Sequence, residues 1–297
     1  MQTVDLRGVP HAYELTPPTP SRKTLVFIHG WLLSRHYWSL LIEQLSTDHQ
    51  CLAYDLRGFG NSCLPPVIDD VVPLSSYSLA SYAKDLASLI EQLNLTNVWL
   101  VGHSLGGSIA IWGASQLPES VKGVICINAG GGIYLKEEFE RFRAAGRQIV
   151  KLRPKWLSQV PFLELAFVRS GTARSLSRQW ARQRLVDFVV AHPDAALGAL
   201  LESTTEVEVH RLPQIVSKLE QPVYFITGTQ DSIMEPQYVR YLASFHRLFG
   251  ECGDNVFEIS NCGHLAMVEQ PEAVAKTIQT ILASHNRLAS HNKKEEC

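Results

Sequence analysis

No run of about 18 uninterrupted apolar residues occurs anywhere in the chain, so a membrane-spanning helix is not expected. The first twenty residues, MQTVDLRGVPHAYELTPPTP, lack a basic start followed by an apolar stretch and are not read as a secretory leader. Neither sign of charge dominates: 27 Lys and Arg stand against 29 Asp and Glu. A net charge of −2 gives no electrostatic reason to expect a nucleic-acid partner. Cysteine is sparse, at Cys51, Cys63, Cys126, Cys252, Cys262 and Cys297, with no C-x-x-C pair and no Cys/His spacing that would hold zinc. That scatter suits free thiols in a reducing compartment and remains compatible with one disulfide. No metal or organic cofactor is implied, and there are no internal repeats. A cytoplasmic protein acting on a small molecule is the expectation.

What is present is ordinary for a globular chain: 45% hydrophobic and 19% charged residues over 297 positions. A chain of this size hides roughly 75% of its unfolded surface, enough for one large domain or two modest ones. Short apolar runs recur at Thr24–His29, Cys51–Asp55, Asn97–Val101, Val121–Asn128, Val223–Thr227 and Asn255–Ile259. Such continuous runs predict strands covered on both faces, as in a parallel sheet. Between two of them Leu79, Tyr82, Ala83, Leu86, Leu89, Ile90 and Leu93 recur at helical spacing. Alternating strands and amphipathic helices predict an α/β fold.

The alternation breaks between Gly131 and Pro213, a segment with no strand pattern but with Phe139, Phe142, Trp156, Phe162, Phe167, Trp180 and Phe188. It is too long for a loop and too apolar for a linker, and so reads as a helical insertion. The organisation expected is a core of 1–130 and 214–285, an insertion of 131–213, and an unstructured polar tail of 286–297. Lys136–Arg184 holds twelve Lys and Arg against four Glu. A solvated helical face explains that surplus, and so do arginines such as Arg141, Arg143 or Arg178 gripping an anionic substrate.

The chemistry concentrates in Gly102-His103-Ser104-Leu105-Gly106-Gly107, which follows one predicted strand and precedes a helix-like run. G-x-S-x-G needs that strand–turn–helix context, because the serine must sit on a tight turn with its hydroxyl exposed. A serine hydroxyl also needs a base. Of eleven histidines, His264 lies in a loop after the last predicted strand, where an open α/β sheet places its site. His103 adjoins the serine but points elsewhere on a tight turn, and His29 reads as a loop brace. An orienting carboxylate is required next. Asp231, in Gly228-Thr229-Gln230-Asp231, follows a strand at the same sheet end, whereas Asp55 sits in a sequence suited to shaping a loop. The amides of Leu105 and Trp31 are the expected donors to a developing oxyanion, and the Trp31 indole also suits a pocket wall.

With these residues in place the chain resembles the α/β-hydrolase superfamily from about Thr24 to Leu282. The resemblance rests on HGW at His29–Trp31, DLRGFGNS at Asp55–Ser62, GHSLGG at Gly102–Gly107, GTQD at Gly228–Asp231 and CGH at Cys262–His264. It implies a mostly parallel sheet of the eight-stranded type, with 131–213 as a helical cap. It also implies Ser104 as nucleophile, His264 as base, Asp231 as its partner, and the Trp31 and Leu105 amides as oxyanion hole. The HGW opening is similar to carboxylesterases and cofactor-free haloperoxidase-like members. Ser104 sets aside the dehalogenases and epoxide hydrolases, which use aspartate there, and the lipase-type HGGG is missing. Cleavage of a small carboxylic ester is the leading expectation. C–C bond hydrolysis or a triad-assisted elimination on a carboxylated metabolite comes second, because the superfamily includes such enzymes and a lyase of menaquinone synthesis. A non-catalytic ligand-binding protein on the same fold is third.

Overall fold

The apolar runs become strands β3 (Thr24–Ile28), β4 (Gln50–Tyr54), β5 (Val98–His103), β6 (Val121–Ile127), β7 (Val223–Gly228) and β8 (Val256–Ile259). The computed structural model describes residues 1–62, 74–131, 136–160, 163–164, 169, 171–250 and 253–295. Two strands absent from the sequence reading precede the six, β1 (Gln2–Leu6) and β2 (Val9–Leu15). They form an antiparallel hairpin whose residues are largely exposed or half-buried, so their apolar signal is weak. The eight strands form one sheet in the order β1-β2-β4-β3-β5-β6-β7-β8. β2 meets β4 antiparallel, and every pairing from β4 to β8 is parallel.

Strand residues alternate between faces, so the sheet separates two cores. Val26, Ile28, Leu52, Tyr54, Leu100, Val124 and Phe225 join one cluster, and Leu25, Phe27, Ala53, Trp99, Val101, Ile125 and Ile226 join the other. The first core is covered by α2 (Leu79–Gln92) and α3 (Leu105–Gln116). The predicted stripe of α2 is buried at Leu79, Tyr82, Ala83, Leu86, Leu89 and Ile90, and Ser78 caps its start by accepting the Ser81 N–H. The second core is covered by α1 (Ser39–Leu45) and by the last helix, Pro271–Glu295.

Between β6 and β7 the described residues contain helices and no strand. These are α4 (Lys136–Lys151), α5 (Arg178–Val190), α6 (Pro193–Ser203) and α7 (Glu206–Lys218). The boundary expected at Pro213 falls inside α7, because Val209, Leu212 and Val216 carry a buried stripe through the proline. Two short helices follow, α8 (Pro236–Ala243) and α9 (Ala266–Glu269), before the terminal α10 (Pro271–Glu295). α10 runs on to Glu295, where an unstructured tail is expected from 286. Ala289, Lys293, Lys294 and Glu295 are good helix formers, which suits that extension.

The insertion is tied to the core by specific bonds. Trp31 Nε1–H donates to the Ala196 carbonyl at 2.8 Å, Ser34 Oγ–H to Asp187 Oδ2 at 2.8 Å, and His192 N–H to the Gly58 carbonyl at 2.8 Å. Among the described residues no helix is long and apolar enough to cross a membrane. Cys51, Cys126 and Cys262 are buried free thiols. Cys63, Cys252 and Cys297, and the side chains of Phe139, Phe142, Phe162 and Phe167, lie outside the described residues.

Candidate active site

β5 ends at His103 and α3 begins at Leu105, leaving Ser104 as the whole turn, with φ 51° and ψ −118°. A non-glycine residue held there carries about 1–3 kcal/mol of backbone strain, which the surrounding packing must maintain. The glycines on either side explain how the turn closes. A Cβ at Gly102 would stand 2.2 Å from the Gly106 carbonyl oxygen, and one at Gly106 would stand 2.1 Å from that of Ile28. Strand and helix therefore approach at backbone contact distance, and Ser104 faces the cavity. The Leu105 amide, first of α3, has no intrahelical acceptor and adds to the positive end of the helix.

Asp231 and His264 arrive from the loops after β7 and β8. His264 Nδ1 lies 2.8 Å from Asp231 Oδ2, and both side chains are buried. The other carboxylate oxygen accepts the Ile233 and Met234 N–H groups at 2.8 and 2.9 Å. Asn128, at the end of β6 with φ 50°, donates its amide to Asp231 Oδ2 at 2.6 Å and to the Gly263 carbonyl at 3.2 Å. Burial alone would push the Asp231 carboxyl up. The facing His264 imidazole, their hydrogen bond, the Met234 N–H and the Asn128 amide together outweigh burial and hold it below its ordinary value. The sequence reading missed Asn128; its only signal was an asparagine directly after an apolar strand.

His103 is buried beside the cavity and donates Nε2–H to the His264 carbonyl at 2.7 Å. Burial, then the neighbouring His264, pulls its pKa down to about 3, so the ring is neutral across the physiological range. His29 braces the loops as expected: Nδ1–H donates to the Gly30 carbonyl at 2.8 Å, and Nε2 accepts the Leu56 N–H at 2.9 Å. Asp55 is engaged elsewhere, accepting from the Arg35 N–H, the Arg35 guanidinium and the Asn61 N–H.

Ser104 and His264 share the wall of a cavity of about 300 Å³, the small end of the usual range for ligand pockets. Trp31, Leu32, Leu33, Leu105, Phe188 and Leu200 are among its apolar lining residues. Helices α4, α5 and α6 reach it through Ile149, Arg184, Phe188, Leu200 and Ser203, with Thr204 just past the end of α6. Arg141, Arg143 and Arg178 are not among the described residues lining this cavity. Arg143 donates to the Leu201 and Thr204 carbonyls and the Thr204 hydroxyl, joining α4 to the end of α6. Arg178 pairs with Glu164 at 3.1 Å, and Arg141 is exposed. Arg184 is the arginine at the wall. Burial pulls its pKa below the ordinary arginine value, against the opposing pull of Tyr37 and Glu269. The sequence reading did not single it out. Among the described residues no cluster of His, Cys, Asp and Glu side chains is arranged to hold a metal ion.

Comparison with known proteins agrees with this architecture. The chain is 30% identical over 277 residues to a 2-succinyl-6-hydroxy-2,4-cyclohexadiene-1-carboxylate synthase from Salmonella typhimurium, covering 92% of this chain and 98% of that protein. Among solved structures, a thermophilic esterase from Thermogutta terrifontis superposes with a TM-score of 0.71 at 22% identity, over 96% of this chain and 99% of that one. A bromoperoxidase from Bacillus anthracis gives 0.74 at 21% identity, over 93% and 96% of the two chains. The family model for the alpha/beta hydrolase fold matches residues 23–271, a span that takes in the elbow at Ser104, the loops carrying Asp231 and His264, and the helices over the cavity, and the chain belongs to that family.

Proposed function

We propose that the protein is a serine hydrolase that cleaves a small carboxylic ester with an apolar acyl group. In this reading Ser104 Oγ attacks the ester carbonyl while His264 Nε2 takes its proton. Asp231 holds the imidazole through Nδ1 and stabilises the imidazolium that forms. The Trp31 and Leu105 amides receive the developing oxyanion, worth on the order of a hundred- to a thousandfold in rate per donor. Imidazolium returns the proton to the departing alcohol, leaving an acyl group on Ser104. Water, deprotonated by the same nitrogen, then releases the acid. The helices of 131–213 act as a cap that shapes the acyl pocket.

The observation that carries this reading is the wall around Ser104. It is mostly apolar, and Arg184 is the one Arg, Lys, Asp or Glu among the described residues lining it. The test is hydrolysis of p-nitrophenyl esters from acetate to dodecanoate by wild type and Ser104→Ala. Turnover of the shorter esters that falls about 10⁴-fold or more in the variant supports the reading. Turnover surviving Ser104→Ala sinks it.

A second reading is favoured by Arg184 together with the Salmonella relative: a triad-assisted elimination on a carboxylated metabolite, with Arg184 holding a carboxylate. It predicts inertness toward simple esters and formation of the product named for that relative. It also predicts a raised KM in Arg184→Gln for carboxylated substrates alone.

A further inference from the structure

Glu269 is a carboxylate only 7% exposed, at the end of the four-residue helix α9, five positions beyond the candidate base. It accepts four backbone N–H bonds from two different parts of the chain. Gly263 N–H donates to Oε2 at 3.0 Å and Leu265 N–H to Oε1 at 3.1 Å, bracketing His264. Ala173 N–H and Arg174 N–H, from the strap that leads into α5, reach Oε2 at 2.8 and 3.1 Å. The strap then touches the base itself, because His264 N–H donates to the Gly171 carbonyl at 2.7 Å. The opposite backbone group of His264 is held as well, its carbonyl accepting from His103 Nε2–H. Gly263 lets the strap lie this close: a Cβ there would stand 2.6 Å from the Ala173 nitrogen and 2.8 Å from the Gly171 oxygen.

We infer that Glu269 is a positioning residue that fastens the strap at 171–174 to the His264 loop, so that the insertion and the base hold one geometry together. The inference rests on reading Ser104, His264 and Asp231 as a triad. A buried carboxylate surrounded by four N–H donors is a strong clamp, since charge-assisted bonds are about twice as strong as neutral ones. Without it, the buried Gly263 and Leu265 N–H groups would be left unpaired. The strap also carries Gly171 beside Ile233, a cavity residue, and beside the Arg184 guanidinium. Loosening the clamp therefore displaces the base and one wall of the cavity in the same event.

The experiment compares wild type, Glu269→Gln, Glu269→Asp and Gly263→Ala as full-length chains. Fluorophosphonate titration of Ser104 counts competent sites, and turnover is expressed per titrated site. Glu269→Gln is expected to lower kcat about tenfold or more with KM changed far less, since displacement of a reacting group by about 1 Å costs on this scale. Glu269→Asp keeps a carboxylate and should recover part of the lost kcat, which a neutral side chain of the same length cannot. Gly263→Ala, which wedges the strap away, should lower kcat similarly. Amide exchange in Glu269→Gln should quicken at 171–174 and 263–265 together, with the β5–α3 turn unchanged. A purely structural role would reduce the number of titratable sites while leaving the per-site kcat in place, and that outcome overturns the inference. Unlinked exchange in the two segments overturns it as well, whatever the activity. Failure of the wild type to label or to hydrolyse any ester counts against the triad reading, and the exchange experiment still decides whether Glu269 couples the segments.

Discussion

Replacing Asn128 by alanine removes a single side chain that touches neither cavity nor Ser104, and its cost can be worked from its contacts. The Asn128 amide donates to the ionised Asp231 carboxylate at 2.6 Å, and a bond to a charged group contributes about 1.5–3 kcal/mol. At φ 50° the backbone is left-handed, where alanine costs about 1 kcal/mol more than asparagine or glycine. Against these, Asn128 Oδ1 is buried without a partner among the described residues, and deleting it recovers about 1 kcal/mol of desolvation. The expected loss is about 2 kcal/mol, with Asn128→Gly more stable than Asn128→Ala by about 1 kcal/mol. Urea unfolding at neutral pH measures both.

The pH dependence is a second check on Asn128. The folded Asp231 carboxyl lies below its ordinary value, so its stabilisation is full above about pH 4 and is lost as pH falls through the folded value. Asn128→Ala lifts that folded value, leaving less to lose, so the gap between variant and wild type should narrow in acid. A loss below about 0.5 kcal/mol, the range of surface substitutions, would refute the reasoning. So would a gap that widens in acid.

Burial, followed by the smaller effect of Asp55, pushes the Asp187 carboxyl up to about 7, against the bonds from Gln183 and Ser34. Between about pH 4 and 7 the folded chain keeps a proton that the unfolded chain releases, so stability falls as pH rises through that window. Asp187→Asn should flatten the fall and raise the melting temperature at about pH 8, read by thermal melts across pH. His103→Gln should leave the acid limb of the activity profile near its wild-type position, because the His103 ring is already neutral there; a limb shifted by a full unit would refute this. Gly102→Ala should destabilise by about 3 kcal/mol, because the added Cβ meets the Gly106 carbonyl rather than a movable side chain. Trp31→Phe removes the indole bond to Ala196 and should cost about 1 kcal/mol, with a raised KM reporting a displaced pocket wall.

The central strands were legible because residues such as Val26, Leu100 and Ile125 are apolar on both faces, which only a doubly covered sheet explains. The β1–β2 hairpin was not, because an edge with one wet face mixes Asp5, Pro10 and Glu14 into its pattern. Gly102, Ser104 and Gly106 announce their turn locally, since spacing and residue type alone dictate it. Asp231 and His264 were found through their place after strands. Asn128, Arg184 and Glu269 act through contacts between segments distant in sequence: Glu269 meets Ala173 across 96 positions. No local pattern carries that information, and the arginine surplus of the insertion pointed to Arg141, Arg143 and Arg178 instead.

The strand order has a consequence for how the protein is made. Ser104 follows the fifth strand, while Asp231 and His264 follow the seventh and eighth, the last two strands of the sheet in chain order. A nascent chain can close the turn at Ser104 against β3 and β6 while the remainder is still being synthesised. Under the proposed triad that exposed hydroxyl stays inert until β8 adds itself to the sheet edge and brings His264 into register. On that reading activity arrives only once β8 has joined the sheet, and a chain broken off before it carries an inert serine.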